Sequence, residues 1–267
     1  MASDTLQFRL TDSQLRHMEE EGYLIIERLF DDTELQPVIE EISADLDPRC
    51  RAAVAAGQLS RTYEEYDFEH RLAHVDAENQ EISKSMWDMK VVLPSFFGLM
   101  TNPKLLDVAE QLCGPEFDDM AHYLVIPDEE LGGRKPVTAP VPKGGVLLLT
   151  NRTPHASFEN KTDVVRWSMD LRYQSAALPT NAQITRLPGE AKHVGTVGVP
   201  LACNPPEPDF LVRSRLRPDQ VLKTAEEFVA LRKNHVYQAT TDRWGYSVAK
   251  RKDPLGNPYK TSESTSK

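Results

Sequence analysis

Residues 166–173 alternate without a break between two kinds of side chain. Arg166, Ser168, Asp170 and Arg172 fall in one register, and Trp167, Met169, Leu171 and Tyr173 in the other. A period of two is the signature of an extended segment that buries one face and leaves the other polar. A helix would scatter these residues around its axis. The alternation therefore asks for a strand with a wall of apolar neighbours on one side. In a closed barrel, one of its faces would line the lumen.

The surrounding punctuation extends this picture. Pro142-Lys143-Gly144-Gly145 reads as a turn, and Val146–Leu149 as a short apolar strand. Tyr23–Ile26 reads as another strand. Prolines number 19 against 13 glycines, which suggests a loop-rich β architecture rather than a bundle. Helices are expected at the flanks. Thr11 with Gln14, and Asp31 with Glu34, have capping-box spacing. The first box opens a short helix that Gly22 stops. The second opens a helix carrying Leu35, Val38, Ile42 and Leu46, which should end near Asp47-Pro48. Asn102-Pro103 opens a third helix, closed by Gly114-Pro115. A last helix is expected from about Asp219. Residues 50–90 read as short helices and loops. The pattern predicts one domain over residues 1–250 and a flexible tail over 251–267.

Composition narrows the function. The net charge of −10 opposes binding to nucleic-acid phosphates. No segment reaches the roughly 18 apolar residues of a membrane span. The three cysteines, Cys50, Cys113 and Cys203, are too few and too dispersed for a disulfide framework. The polar N-terminus lacks the order of a secretory signal, so a cytoplasmic location is expected.

Among seven histidines, His155 stands out. It follows the Val146–Leu149 strand, and Arg166 comes eleven residues later on the alternating segment. A guanidinium there suits a carboxylate ligand, because its fork makes two parallel charge-assisted hydrogen bonds. The competing reading is a structural histidine and an arginine paired with Asp163 or Asp170.

The block His155-Ala156-Ser157, Asn160 and Arg166 to Gln174 resembles the C-terminal signature of the phytanoyl-CoA dioxygenase family. These are non-haem Fe(II)/2-oxoglutarate-dependent dioxygenases. The approach strand 143–150 and the Asn102–Pro115 helix are similar to the family as well. The resemblance implies a double-stranded β-helix, a cupin-like jelly roll, so the fold expected is mainly β with helical flanks. It implies that His155 is the distal iron ligand and that Arg166, with Ser168, binds 2-oxoglutarate. It implies hydroxylation of a small or lipid-like substrate.

Such an iron centre needs two histidines and a carboxylate on one face of the metal. The family's His-x-Asp pair should follow Gly114-Pro115. No His-x-Asp or His-x-Glu occurs between Gly114 and His155, and His122 is followed at plus two by Leu124. Several tens of residues of the family pattern are missing near Asp119-Met120, so the β-helix expected is incomplete. The literal pair His74-Val75-Asp76 is the substitute candidate for the metal, since on a strand it would present both side chains to one face; the competing reading is an ordinary surface or helix-packing role. The alternative function is a catalytically inactive, truncated relative that acts as a carboxylate-binding or protein-interaction module.

Overall fold

A computed structural model describes residues 6–86, 93–119, 131–157, 160–176 and 210–234. Helix dominates them. Seven helices of 7 to 24 residues stand against five strands of three or four. The helices are α1 (Asp12–Glu21), α2 (Asp32–Ala55), α3 (Phe68–Glu78), α4 (Gln80–Met86), α5 (Pro94–Met100), α6 (Pro103–Cys113) and α7 (Ala225–Asn234). The strands are β1 (Tyr23–Ile26), β2 (Glu116–Asp119), β3 (Val146–Leu149), β4 (Tyr173–Ser175) and β5 (Leu211–Ser214).

This overturns the expectation of a mainly β jelly roll. The described strands form a two-stranded sheet, β1 with β3, and a three-stranded sheet ordered β4-β2-β5, all antiparallel. They do not form a double-stranded β-helix, complete or incomplete. The proline count misled for a physical reason. Pro94 and Pro103 open α5 and α6, where their missing N–H costs nothing, and Pro37 and Pro48 sit inside α2.

Helix starts follow the capping chemistry. Thr11 and Gln14 close a reciprocal box on α1, and Gly22 ends it at φ 77°. Asp31 Oδ1 accepts from the backbone N–H groups of Thr33 and Glu34, while Glu34 accepts from the Asp31 N–H at 2.9 Å. Glu34 has a second task. Asn102 Nδ2 donates to it at 2.7 Å and Lys104 Nζ lies 2.5 Å away, so one carboxylate ties the starts of α2 and α6 together.

Two helix boundaries differ from expectation. α2 runs through Pro48 to Ala55, because Leu46, Cys50 and Ala53 are buried in a cluster with Leu72, Val75 and Ile82. That burial outweighs the lost proline N–H. The last helix begins at Ala225 rather than near Asp219. Val221 bridges to Leu211, Leu222 N donates to the Leu211 carbonyl, and Thr224 with Glu227 forms a capping box. The Thr-x-x-Glu spacing was present in the sequence to mark that start.

β1 and β3 pair in register from Tyr23 opposite Leu149 to Ile26 opposite Val146. The turn before β3 is held by the Gly144 carbonyl, which accepts from both Leu29 and Phe30 N–H at 2.9 Å. Gly144 itself has φ 79°, and a Cβ there would lie 2.2 Å from the Phe30 oxygen.

α6 sits between two apolar clusters. Leu105 and Val108 face one with Leu24 and Phe30; Leu106 and Ala109 face the other with Phe97 and Val212. Its buried Asp107 accepts from Gln7 N, Phe8 N and Arg213 Nη1. Burial pushes that carboxyl up, but the Arg213 and backbone hydrogen bonds win and hold it below the ordinary value.

Two stability predictions follow from these positions. Gly144→Ala should cost more than about 2 kcal/mol, because left-handed strain and the contact with Phe30 add. Asp107→Asn should cost about 2 kcal/mol, since it removes the charge that accepts from Gln7 N, Phe8 N and Arg213, while Arg213 keeps Glu110. Urea unfolding near neutral pH measures both. Asp107's contribution is present above the unfolded carboxyl pKa of about 3.9 and is lost as pH falls through the depressed folded value.

Candidate functional site

The segment after β3 starts from a fixed point. Thr150 N donates to the Gly22 carbonyl at 3.0 Å, and Thr153 Oγ1 donates to the same oxygen at 2.6 Å. Two residues on, His155 is exposed, with Nδ1 2.9 Å from the Thr153 carbonyl. A carbonyl only accepts, so in the neutral ring Nδ1 carries the proton and Nε2 presents the lone pair. Coordination of a metal through Nε2 needs this tautomer.

Residues 166–170 alternate in burial as expected, but Leu171, Arg172 and Tyr173 are all half-buried, so the expected alternation does not reach 173. Val165 and Trp167 pack on the cluster that contains Leu72 and Val75, and Met169 packs with Leu24 and Phe30. Arg166, Ser168 and Asp170 are exposed. The main chain is not laddered as a strand over this stretch. Val165 N donates to the Glu69 carbonyl of α3 at 2.7 Å, and Trp167 stacks on Phe68 with ring centroids 4.5 Å apart. Strand pairing begins at Tyr173, where β2 runs alongside. Alternation reported a buried face correctly, but Val165 and Trp167 are covered by the cluster on α2 and α3 rather than by a neighbouring strand.

The polar face thus looks outward rather than into a lumen. Arg166 Nη2 donates to Ser157 Oγ at 3.1 Å. The structure therefore brings Arg166 against the His155 segment, at the residue two positions beyond that histidine. Asp163 and Asp170, the simpler partners considered for this arginine, form no ion pair with it. Ser157 was not singled out as a site residue by sequence reasoning. Its place in the His-Ala-Ser triplet was the available signal.

His74 and Asp76 are not brought together. Both lie on α3, where two residues of separation turn side chains about 200° apart. His74 packs against both Tyr63, on which it stacks, and Tyr66, at centroid distances of 5.5 and 3.9 Å. Asp76 accepts from the Ser83 hydroxyl. Each side chain has a packing role that the His-x-Asp spacing could not reveal.

Among the described residues, no three His, Cys, Asp or Glu side chains converge on a point where a cation could sit. His122, His193, His235 and Cys203 lie outside them. The described residues therefore do not by themselves build an iron centre. What they do present is an exposed guanidinium with hydroxyls and an imidazole close by in the chain.

The chain matches no family model, no curated protein and no solved structure. No helix among the described residues is long and apolar enough to cross a membrane.

The floor under this segment is α3, whose first turn carries a titrating contact. Asp67 caps α3, accepting from Glu69 N and His70 N, and its Oδ1 lies 2.6 Å from His70 Nδ1. That hydrogen bond raises the His70 pKa, with smaller help from the charges of Asp67, Asp163 and Glu69. The positive end of the helix opposes a cation there, and the direct contact prevails. The stabilisation is complete below the unfolded histidine value of about 6.5 and is lost as pH rises through the higher folded value. Urea midpoints of the wild type should fall between about pH 6 and pH 9, and His70→Gln should flatten that part of the profile.

Proposed function

We propose that this chain is a protein of the phytanoyl-CoA dioxygenase type that recognises 2-oxoglutarate through Arg166. The observation that carries the reading is the Arg166–Ser157 contact, which sets an exposed guanidinium beside the His155 segment. Arg166 would grip the far carboxylate with two parallel charge-assisted hydrogen bonds. Ser168 stands two residues on, in the same exposed register, and its hydroxyl can donate to the same group. His155, with Nε2 as the lone-pair nitrogen, is the residue that would offer a ligand to iron. Fe(II), when bound, would supply the oxygen activation that the resemblance implies, with a small or lipid-like molecule as substrate. Cys50 and Cys113 are thiols rather than halves of a disulfide, which suits a reducing compartment, in keeping with a cytoplasmic protein.

A second reading is carboxylate binding without turnover. It is favoured by the sequence itself, which carries no His-x-Asp or His-x-Glu between Gly114 and His155.

Calorimetric titration of the full chain with 2-oxoglutarate, with and without Fe(II), separates the possibilities. Arg166→Ala should weaken 2-oxoglutarate at least about tenfold, or about 1.4 kcal/mol. Succinate release that disappears in His155→Ala supports the oxygenase. Binding with no succinate supports the second reading. Affinity that is indifferent to Arg166→Ala sinks both.

A further inference from the structure

Resting on the reading of Arg166 as a carboxylate seat, we propose that Ser157 is a phosphorylation site whose phosphate closes that seat. The Ser157 hydroxyl is exposed and already accepts from Arg166 Nη2 at 3.1 Å. Residues 154–157 adopt neither helix nor strand, so the hydroxyl is carried on irregular chain that can enter another enzyme's active site. The surroundings tolerate added negative charge. Residues 150–173 carry Arg152, Lys161, Arg166 and Arg172 against Glu159, Asp163 and Asp170, a net charge of +1 in a chain of −10.

The modification is a simple group transfer. The Ser157 oxygen attacks the terminal phosphorus of a nucleoside triphosphate held by a protein kinase. The oxygen–phosphorus bond forms, the bond to the departing nucleoside diphosphate breaks, and the hydroxyl proton leaves through the kinase's base. Nothing is oxidised or reduced. The product carries about −1.5 to −2 charges and three acceptor oxygens at neutral pH. Its anchor atom already lies at hydrogen-bond distance from the guanidinium. Being tethered, it faces Arg166 at an effective concentration on the order of millimolar or more. It also offers the same geometry that a carboxylate would use. A free keto acid then competes against an anion that cannot diffuse away.

The test uses the full chain with phosphoserine installed at position 157, alone and combined with Arg166→Gln. Phosphorus NMR across pH reads the second ionisation of the phosphate, ordinarily near about pH 6. The expected result is ionisation at lower pH beside Arg166 and a return toward the ordinary value in the Arg166→Gln protein. Calorimetry should show 2-oxoglutarate binding to the phosphorylated chain reduced at least about tenfold relative to the unmodified chain. Mass spectrometry of the protein isolated from its own cells should find phosphate on the fragment that contains Ser157. An ionisation identical in the two proteins overturns the pairing, whatever 2-oxoglutarate does. Phosphate never found at Ser157 overturns the modification. A pairing that depends on Arg166, in a chain whose unmodified form ignores 2-oxoglutarate, upholds the switch and removes the keto-acid reading.

Discussion

Asp107, with 4% of its surface exposed, gathers three parts of the chain that lie about a hundred residues apart. Its Oδ2 accepts from Gln7 N at 2.6 Å and Phe8 N at 3.1 Å, and its Oδ1 from Arg213 Nη1 at 2.7 Å. Glu110, one turn later, binds Arg213 and Arg215. Gln111 then takes Leu10 N and donates to the Phe8 carbonyl. A carboxylate removed from water this far is tolerable only when fully hydrogen-bonded. That requirement fixes α6 against the N-terminal segment and against β5 at once. β2 follows α6 directly and pairs with β5 and β4, so the three-stranded sheet is placed by the same contact.

The remaining anchors are of one kind: polar groups at chain reversals, satisfied across long sequence distance. Glu34 serves two helix starts. The Gly144 carbonyl serves two N–H groups of the β1–α2 connection. Arg71, only 8% exposed, donates to Asp47 at 2.6 Å and to the Thr62 carbonyl, which holds the α2–α3 loop onto α3. Tyr63 in that loop has φ 53°, a conformation costly for a bulky residue, and its ring is nevertheless buried among Leu59, Leu72 and His74. Hydrophobic burial drives the collapse, and these contacts choose one arrangement of it.

For function, the consequence is that the alternating segment has its apolar half spent on packing while Arg166, Ser168 and Asp170 face solvent. Trp167 and Val165 are held by α3, while Met169, Leu171 and Tyr173 are held by the clusters on α5 and α6, with Tyr173 Oη donating to the Met100 carbonyl at 2.6 Å. Arg166 is thereby fixed at its backbone while its guanidinium remains reachable. An anion approaching it meets no barrel wall among the described residues. Recognition at such a place rests on charge and hydrogen-bond geometry more than on enclosure, which makes it sensitive to ionic strength and to competing anions.

The sequence by itself determined the local elements whose signals are short-ranged. Both N-terminal capping boxes, the Gly22 stop, strands Tyr23–Ile26 and Val146–Leu149, and the Asn102-Pro103 start were legible, because a cap or a turn is decided by neighbours within about four residues. The in–out periodicity was legible over 166–170 for the same reason, though not over the last three residues of the expected stretch. Only the tertiary structure decided what covers an apolar face. Short helices over residues 50–90 were expected, and α3 bears that out for His74 and Asp76; periodicity cannot say which element covers a face, so the covering of Trp167 by Phe68 was hidden. Burial of Cys50 and Ala53 likewise carried α2 past a proline that local rules read as an end. The pairing of Arg166 with Ser157 belongs to the same class: nine residues separate them, and only the path of the chain between those residues sets the distance that makes them neighbours.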